Sequence, residues 1–461
     1  MSTFSIFEIG RSALMTAKRT MDVTSHNVAN ASTIGYSRQE AVLEPIIQRQ
    51  AAVSGAGVRV IDVRRLRDQF VDSVLRAESA KKAAFQVQKD VMEYLQVVAS
   101  EPSDASIRTS LDLFWSAWHD LSVDASSASA RAQVMERGRS LVDLFKHIGG
   151  QIDAMSVDLE ASIEACVRRV NLLSERIVSL NLEISRALAR REPASDLMDQ
   201  RDILLDELAE LTGATVTHIA EGESVRVTVN GFPLVDKDHS YKLEVAFTLG
   251  GTEVRWVSAP GEYTVIPSVG GKLGGYKEAR DVLVRDFKTE VENLFRTIVD
   301  EINAIHRNGF PLTGTPGDFF VTDGADYLHS AQVAPWIVAD PGTICAAGVP
   351  GDPLDGSIAL AIADRIEGDD GASSPTYNDM WSAIIGRLGA VGQKVDSGFG
   401  VQEILVKELQ NRKDSISGVS IDEEVATLVR QQHAFNAASR VITIADEMID
   451  TIISRMGIAG R

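Results

Sequence analysis

The sequence predicts a mainly α protein with inserted β. It expects a long coiled-coil-like helix bundle formed by the N- and C-terminal regions, a small antiparallel β domain and an irregular acidic segment. Three observations predict this. Apolar residues recur at alternating steps of four and three from Leu141 to Ile184, the spacing of a helix with one buried stripe. The period switches to two between Val225 and Val257 and then returns. Aromatic residues make up 6% of the chain against 44% hydrophobic residues overall, which suits bundles filled by Leu, Ile, Val and Ala.

The elements follow in order. A helix is expected from Ser5 to Asn30, with Phe7, Leu14, Met21 and Val28 at seven-residue intervals and Gly10, Ala17 and Thr24 between them. Large residues alternate with small ones in this narrow seam, which needs a partner helix. The turn Ser32–Tyr36 breaks the helix, with Gly35 free to take positive φ. A second helix runs from Arg67 to Ala99 and stops before Glu101-Pro102; a third starts near Ser103 and carries Leu111, Phe114, Trp118 and Leu121. The longest spans Ser127 to Arg190, with a stutter around Leu159 that relaxes a left-handed supercoil. Pro193 ends it, and Ser195 is expected to cap a helix to Leu211. The β domain occupies Thr212 to Gly275, with Asn230-Gly231 as a hairpin turn. Helix returns from Tyr276 to Arg307, and a Gly-, Pro- and Asp-rich stretch follows to Thr376. Two or three helices close the chain. The last begins at Ser420 with Glu423 three residues on, the spacing of a capping box. Its expected seam is Ile421, Val425, Leu428, Gln432, Phe435, Ser439, Ile442, Asp446, Ile449, Ile453 and Met456, with Val441, Ala445, Met448 and Ile452 as a second stripe.

Charge narrows the class of function. Lys and Arg total 46 against 65 Asp and Glu, a formal charge of −19 that repels nucleic acid and anionic membranes. From Phe310 to Asp379 there are eleven acidic residues and one basic residue, Arg365, which marks a solvated middle. No stretch is long and apolar enough to insert into a membrane. The N-terminus lacks the regions of a cleaved signal peptide, and two cysteines, Cys166 and Cys345, make no disulfide framework. These features alone point to the cytoplasm.

Searches for chemistry find no enzyme signature and no cofactor or metal motif. Gly55-Ala56-Gly57 lacks the third glycine of a dinucleotide fingerprint, and Asp323-Gly324 and Asp369-Asp370-Gly371 lack calcium-loop spacing. The eight histidines stand singly. Cys166 reads as a core residue in the long helix, and Trp115 and Trp118 as core rather than ligand cage. The run Asp196-Leu197-Met198-Asp199-Gln200-Arg201-Asp202 reads structurally: Asp196 favours the helix N-terminus, and Asp199 and Asp202 pair with Arg201 or water.

Two segments stand out. The first is His26-Asn27-Val28-Ala29-Asn30-Ala31-Ser32-Thr33-Ile34-Gly35-Tyr36-Ser37-Arg38-Gln39. The second runs from Ser417-Gly418-Val419-Ser420-Ile421-Asp422-Glu423-Glu424 through Gln431–Phe435 and Ala438–Ile442 to Ala445–Met448. They resemble the paired N- and C-terminal signatures of the flagellar rod, hook and hook-associated axial proteins. Tyr36-Ser37-Arg38-Gln39, Asp196–Asp202 and Tyr276–Asp281 resemble forms found in the hook-associated branch.

This resemblance implies a structural, non-enzymatic subunit at the hook–filament junction, polymerising on the distal end of the hook through its terminal helices. The alternatives are another axial protein, of hook or distal rod, and a cytoplasmic coiled-coil adaptor. It reverses the cytoplasmic reading, implying type III export without a cleaved signal peptide to an extracellular position on the flagellum. The implied partners are further copies in a ring, the hook protein, hook-associated protein 3, the type III export apparatus and an export chaperone at the C-terminus. The implied assembly interface is Phe7, Leu14, Met21, Asn27, Val28, Asn30, Gly35, Tyr36, Arg38, Phe435, Ile442, Ile449, Ile453 and Met456, with Met448, Ile449, Ile452 and Ile453 for the chaperone. The terminal seams are expected to lack partners until assembly. The expected division is 1–66 (axial helix and extended segment), 67–211 (bundle), 212–275 (β domain), 276–309 (returning helix), 310–376 (irregular acidic segment) and 377–461 (C-terminal helices pairing with the N-terminal region).

Overall fold

The stripe from Leu141 to Ile184 lies along one continuous helix. The computed structural model describes every residue except 1–2, 47–56, 100–105, 220–222, 249, 325, 368–375 and 457–461. The sequence readings on Gly55-Ala56, on a helix start at Ser103 and on Asp369–Gly371 fall outside the described residues.

Helix α1 (Thr3–Asn30) leads into an antiparallel hairpin of β1 (Gln39–Pro45) and β2 (Val58–Arg65), bulged between Val42 and Leu43. The bundle follows as α2 (Gln69–Ala99), α3 (Ile107–Val123), α4 (Ala128–Ala189) and α5 (Ser195–Thr212). Strands β3 (Thr215–Ile219), β4 (Ser224–Val229), β5 (Phe232–Asp236) and β6 (His239–Ser240) form one sheet in sequence order. Strands β7 (Lys242–Thr248), β8 (Gly251–Ala259) and β9 (Glu262–Val265) form another. Helix α6 (Gly271–Glu278) passes through a π-helical turn, Ala279–Val284, into α7 (Arg285–His306). Short pieces fill the next stretch: β10 (Phe310–Pro311), β11 (Phe320–Val321), α8 (Tyr327–Ser330), β12 (Gln332–Val333), α9 (Pro335–Ala339), β13 (Cys345–Ala347) and α10 (Ser357–Ala363). Helices α11 (Tyr377–Ser417) and α12 (Ile421–Met456) close the chain.

Local chemistry explains the boundaries. The Ser127 hydroxyl accepts the Ala130 N–H and starts α4, whose 62 residues extend about 93 Å at the helical rise. Ser195 is the first residue of α5 and not its cap, because Ala194 holds the cap position without a side-chain bond. At the Asn230-Gly231 turn both residues take positive φ, 47° and 86°, and Val225, Val227 and Val229 all face the core. Helix resumes at Gly271 rather than Tyr276. Glycines read as loop because they are poor helix formers, but here they allow close packing: a Cβ on Gly275 would lie 2.7 Å from the Ala84 carbonyl oxygen of α2.

The core runs the length of α4. One apolar cluster joins α2, α3, α4, α7 and α11, and a second joins α4 and α5 to the two sheets. Cys166, Trp115 and Trp118 are buried in these cores. The 310–376 segment is made of short elements, yet part of its apolar content enters the core, while Leu312, Trp336, Val349 and Leu354 stay exposed. Phe319 and Phe320 enter an aromatic group with Phe114 and Trp118, and Leu328, Ile337 and Ile344 are fully buried. Its acid stays outside and shapes turns: Asp355 accepts the N–H groups of Gly348 (2.7 Å) and Val349 (2.9 Å).

At the far end α1 lies along α12. A Cβ on Gly10 would meet the Ile442 side chain at 2.9 Å, and Gly10, Ala17 and Thr24 are buried while Phe7, Leu14, Met21 and Val28 are half-buried. The terminal seams therefore find each other within one chain, contrary to the expectation that they lack partners before assembly. The face of α12 turned inward is also shifted. Glu424, Leu428, Gln431, Phe435, Ala438, Ile442, Ala445 and Ile449, spaced by fours and threes, are its covered positions, with Thr427 beside Leu428. Ile421 (53% exposed), Val425 (48%) and Ile453 (68%), expected in the seam, face solvent.

Candidate functional site: the joint between the terminal helices and the bundle

Three motifs singled out in the sequence meet where the terminal pair joins the bundle. At the end of α1 the Asn27 amide donates to the Gln39 carbonyl (2.9 Å) and to the Glu424 carboxylate (3.0 Å). Its oxygen accepts the Gln39 N–H (2.9 Å) and the Tyr36 hydroxyl (2.8 Å). All four bonding positions of a buried amide are thus used. Gly35 at φ 78° makes the turn beneath Ile203 of α5. Asn30 caps locally, donating to the His26 carbonyl and accepting from Thr33.

The chain crosses between terminal pair and bundle twice, side by side. The Arg38 N–H donates to the Ser417 carbonyl (2.9 Å), tying the outgoing strand to the α11–α12 connection. The Arg38 guanidinium reaches Glu424 (2.7 Å) and Glu423 (3.1 Å). Glu423, expected in a capping box at Ser420, thus has its carboxylate on Arg38; a capping box forms instead at Thr376 and Asp379 of α11.

The acidic run of α5 completes the site. Asp199 accepts the Ser37 N–H (3.0 Å), the Ser37 hydroxyl (2.7 Å) and Arg65 (2.8 Å). Asp202 takes Arg65 (2.7 Å) and Arg67, and Arg67 also reaches Asp72 (3.0 Å). Arg76 donates to Asp206 (2.6 Å), which also receives Lys413 (3.1 Å). The sequence expectation that Asp199 and Asp202 pair with Arg201 or water does not hold. Arg201 turns inward to Asn181 (2.9 Å) and the Glu223 carbonyl.

Burial and charge compete here. Burial opposes ionisation of Asp202, but Arg67, Arg65 and Arg76 overcome it and hold the carboxyl below its ordinary range. For Arg201 burial outweighs the help of Asp202, and Arg65 and Arg76 add to it, so its pKa falls to about 10. Burial, with Asp196, Asp199 and Glu424 nearby, raises the Tyr36 phenol and keeps it a donor. Such an array holds parts in register, since each carboxylate at its centre is engaged by cations from another element.

Of the expected interface residues, Asn27, Gly35, Tyr36 and Arg38 come together at this joint. Phe7, Leu14, Met21 and Val28 are half-buried on α1, and Phe435, Ile442 and Ile449 are half-buried on α12, with Ile442 against Gly10. Met448, Ile452 and Ile453 are exposed (46%, 45% and 68%), and the Met456 side chain lies outside the described residues. Sequence reasoning missed Arg65, Arg67, Arg76 and Lys413. The close spacing of Arg64, Arg65 and Arg67, with Asp68 and Asp72 just after them, was the available signal.

A second motif has a similar role. Asp281, in the π turn, accepts the Thr252 N–H (2.8 Å) and hydroxyl (2.9 Å) and pairs with Arg280 (2.7 Å), pinning the β7–β8 turn to the bundle.

Comparison with known proteins matches the same three regions. The family "Flagella basal body rod protein" matches residues 7–36, "Flagellar hook-associated protein FlgK helical domain" residues 92–320, and "Flagellar basal body rod FlgEFG protein C-terminal" residues 414–455. Flagellar hook-associated protein 1 of Bacillus subtilis is 26% identical over 505 residues, covering 100% of both chains. That of Escherichia coli is 24% identical over 545 residues, covering 98% of this chain and 99% of the other. The solved flagellar hook junction protein FlgK from Burkholderia pseudomallei shares the fold at a TM-score of 0.66 and 14% identity, covering 75% of this chain and 100% of that one.

Proposed function

We infer the role of this chain from its membership: it belongs to the flagellar hook-associated protein 1 family, and it is a structural subunit of the bacterial flagellum at the hook–filament junction. The terminal pair is the part that assembles. One observation carries this reading. With α1 and α12 already paired, Val441, Ile444, Met448, Ile452 and Ile453 remain exposed along α12, and Met15 (62% exposed) along α1. An apolar face of this kind on a chain of high net charge calls for a cover.

In the assembled flagellum neighbouring copies cover it, with the hook protein on one side and hook-associated protein 3 on the other. Before assembly a small export chaperone covers Met448, Ile449, Ile452 and Ile453, and the chain leaves through the type III export apparatus. Two free, buried cysteines suit passage as an unfolded chain. Outside the cell the subunits close into a ring.

The test is deletion of the gene. Hooks should form, filaments should be missing, and flagellin should appear in the medium; complementation restores filaments. Normal filaments in the deletion strain would refute the junction role.

A further inference from the structure

We propose that the exposed loop Val349–Leu354 of one copy docks into the groove between α4 and α9 of a second copy of this chain. This head-to-tail contact joins the bodies of neighbouring subunits and rests on the ring reading above. It uses the body alone and involves neither α1 nor α12.

The loop is a stiff apolar knob. Val349, Pro350, Pro353 and Leu354 are all exposed, and each proline fixes its own φ. Asp355 accepts the N–H groups of Gly348, Val349 and Ser357, and Asp352 accepts that of Leu354 (3.0 Å). A loop held this way loses little freedom on docking. It sits on the α3 side of the body, where Gly356 packs on the Ser122 carbonyl and the neighbouring Val123 is exposed as well. Among the described residues no cation pairs with Asp352 or Asp355, so the knob presents apolar surface together with free acid.

The groove is its complement. It has a volume of about 370 Å³, and Val142, Val333 and Val338 give it apolar walls. That is room for a few side chains, near the bottom of the range of roughly 300–1,000 Å³ that holds small molecules. Lys146 lines it half-buried and has no ion pair among the described residues. Arg139 has an exposed pair with Glu136 (3.3 Å), which contributes little. Against these two cations stands one carboxylate, Asp143, so the groove is basic beside the acidic 310–376 segment.

No residue of the loop lines the groove of its own chain. Both surfaces lie toward one end of the body, with the groove centred about 20 Å along α4 from the α3–α4 turn. An acidic knob and a basic groove on separate parts of one molecule make a heterologous contact, which generates a ring when its rotation closes.

The test expresses the full chain in the deletion strain. Leu354→Cys with Val338→Cys places one thiol on the loop and one in the groove. Oxidation of isolated flagella should then give a reducible ladder that extends beyond the dimer, because each copy is joined on both sides. Either single-cysteine chain, and the parent with its two buried cysteines, should stay monomeric. Asp352→Lys should cut filaments per cell about tenfold, since like charges then face each other. Adding Arg139→Glu and Lys146→Glu should restore them, and circular dichroism checks that each secreted variant is folded. Monomer alone in oxidised flagella that carry the double-cysteine chain overturns the contact and leaves the ring reading standing. Cross-links to a different flagellar protein overturn the choice of a second copy. Normal flagella that lack the chain altogether overturn the ring reading and this contact with it. Full filament growth with Asp352→Lys, or a loss that the groove reversal does not relieve, overturns the charge pairing on which the contact is built.

Discussion

Asn27 and Glu424, 397 positions apart, share a 3.0 Å hydrogen bond at the point where the first and last long helices begin to run together. Glu424 is 2% exposed and has Arg38 as its counter-ion at 2.7 Å. A carboxylate so buried is tolerable only with both partners in place. The bond therefore sets the register of α1 on α12.

Replacing Glu424 by Ala leaves the Arg38 charge short of a partner and the Asn27 amide short of an acceptor. The expected loss is about 3 kcal/mol in the terminal module. Glu424→Gln keeps the acceptor and should lose less. Urea unfolding followed by hydrogen exchange in α1 and α12 measures both. A Glu424→Ala chain as well protected as the parent removes this bond from the account.

Leu14 and Met21 are half-buried on the seam of α1. Changing both to Asp puts two charges against α12, and an unpaired charge costs several kcal/mol when fully buried, less at a half-open position. The expected product is soluble, with near-normal helical content, and unable to support filament growth on hooks. Export is scored in the same cultures. Wild-type filaments built from exported protein would show that assembly does not use this seam.

Two helical glycines should respond oppositely to alanine. A Cβ on Gly275 would press on Ala84 backbone at 2.7 Å, so Gly275→Ala should destabilise by about 1–3 kcal/mol. Nothing lies within 4 Å of a Cβ on Gly389, so Gly389→Ala should be neutral or stabilise by up to about 1 kcal/mol. Thermal unfolding decides it. A stabilised Gly275→Ala would mean that α6 does not approach α2 so closely.

His306 is fully buried between the Gly317 carbonyl (2.7 Å) and the Cys345 N–H (2.9 Å), and burial lowers its pKa to about 4. The folded value lies below the unfolded one, so the unfolded chain binds the proton first as pH falls. Stability present above the unfolded value of about 6.5 is lost on acidification toward the folded value, by about 3 kcal/mol at pH 4. Denaturant titrations at several pH values should show this slope, and His306→Gln should flatten it. An equal slope in both chains would assign the acid sensitivity elsewhere.

The sequence by itself determined the helices, the β insertion and the inward stripes. Val225, Val227 and Val229 had to face one way because strand side chains alternate, and the stripe of α4 had to face one way because its steps follow the helical period. It also marked both ends of the joint, through Asn27–Gln39 and Ser417–Glu424. What it could not supply was which partner each marked residue meets. Periodicity places Ile453 and Ala445 on neighbouring stripes of one helix, and only the approach of α1 buries Ala445 and leaves Ile453 out. Nearest in sequence, Asp199 and Asp202 have Arg201; in space they have Arg65, delivered by a hairpin more than a hundred positions earlier. Local pattern is short-ranged, whereas a buried charge takes whichever counter-ion the packed chain brings within 3 Å. That choice belongs to the tertiary structure.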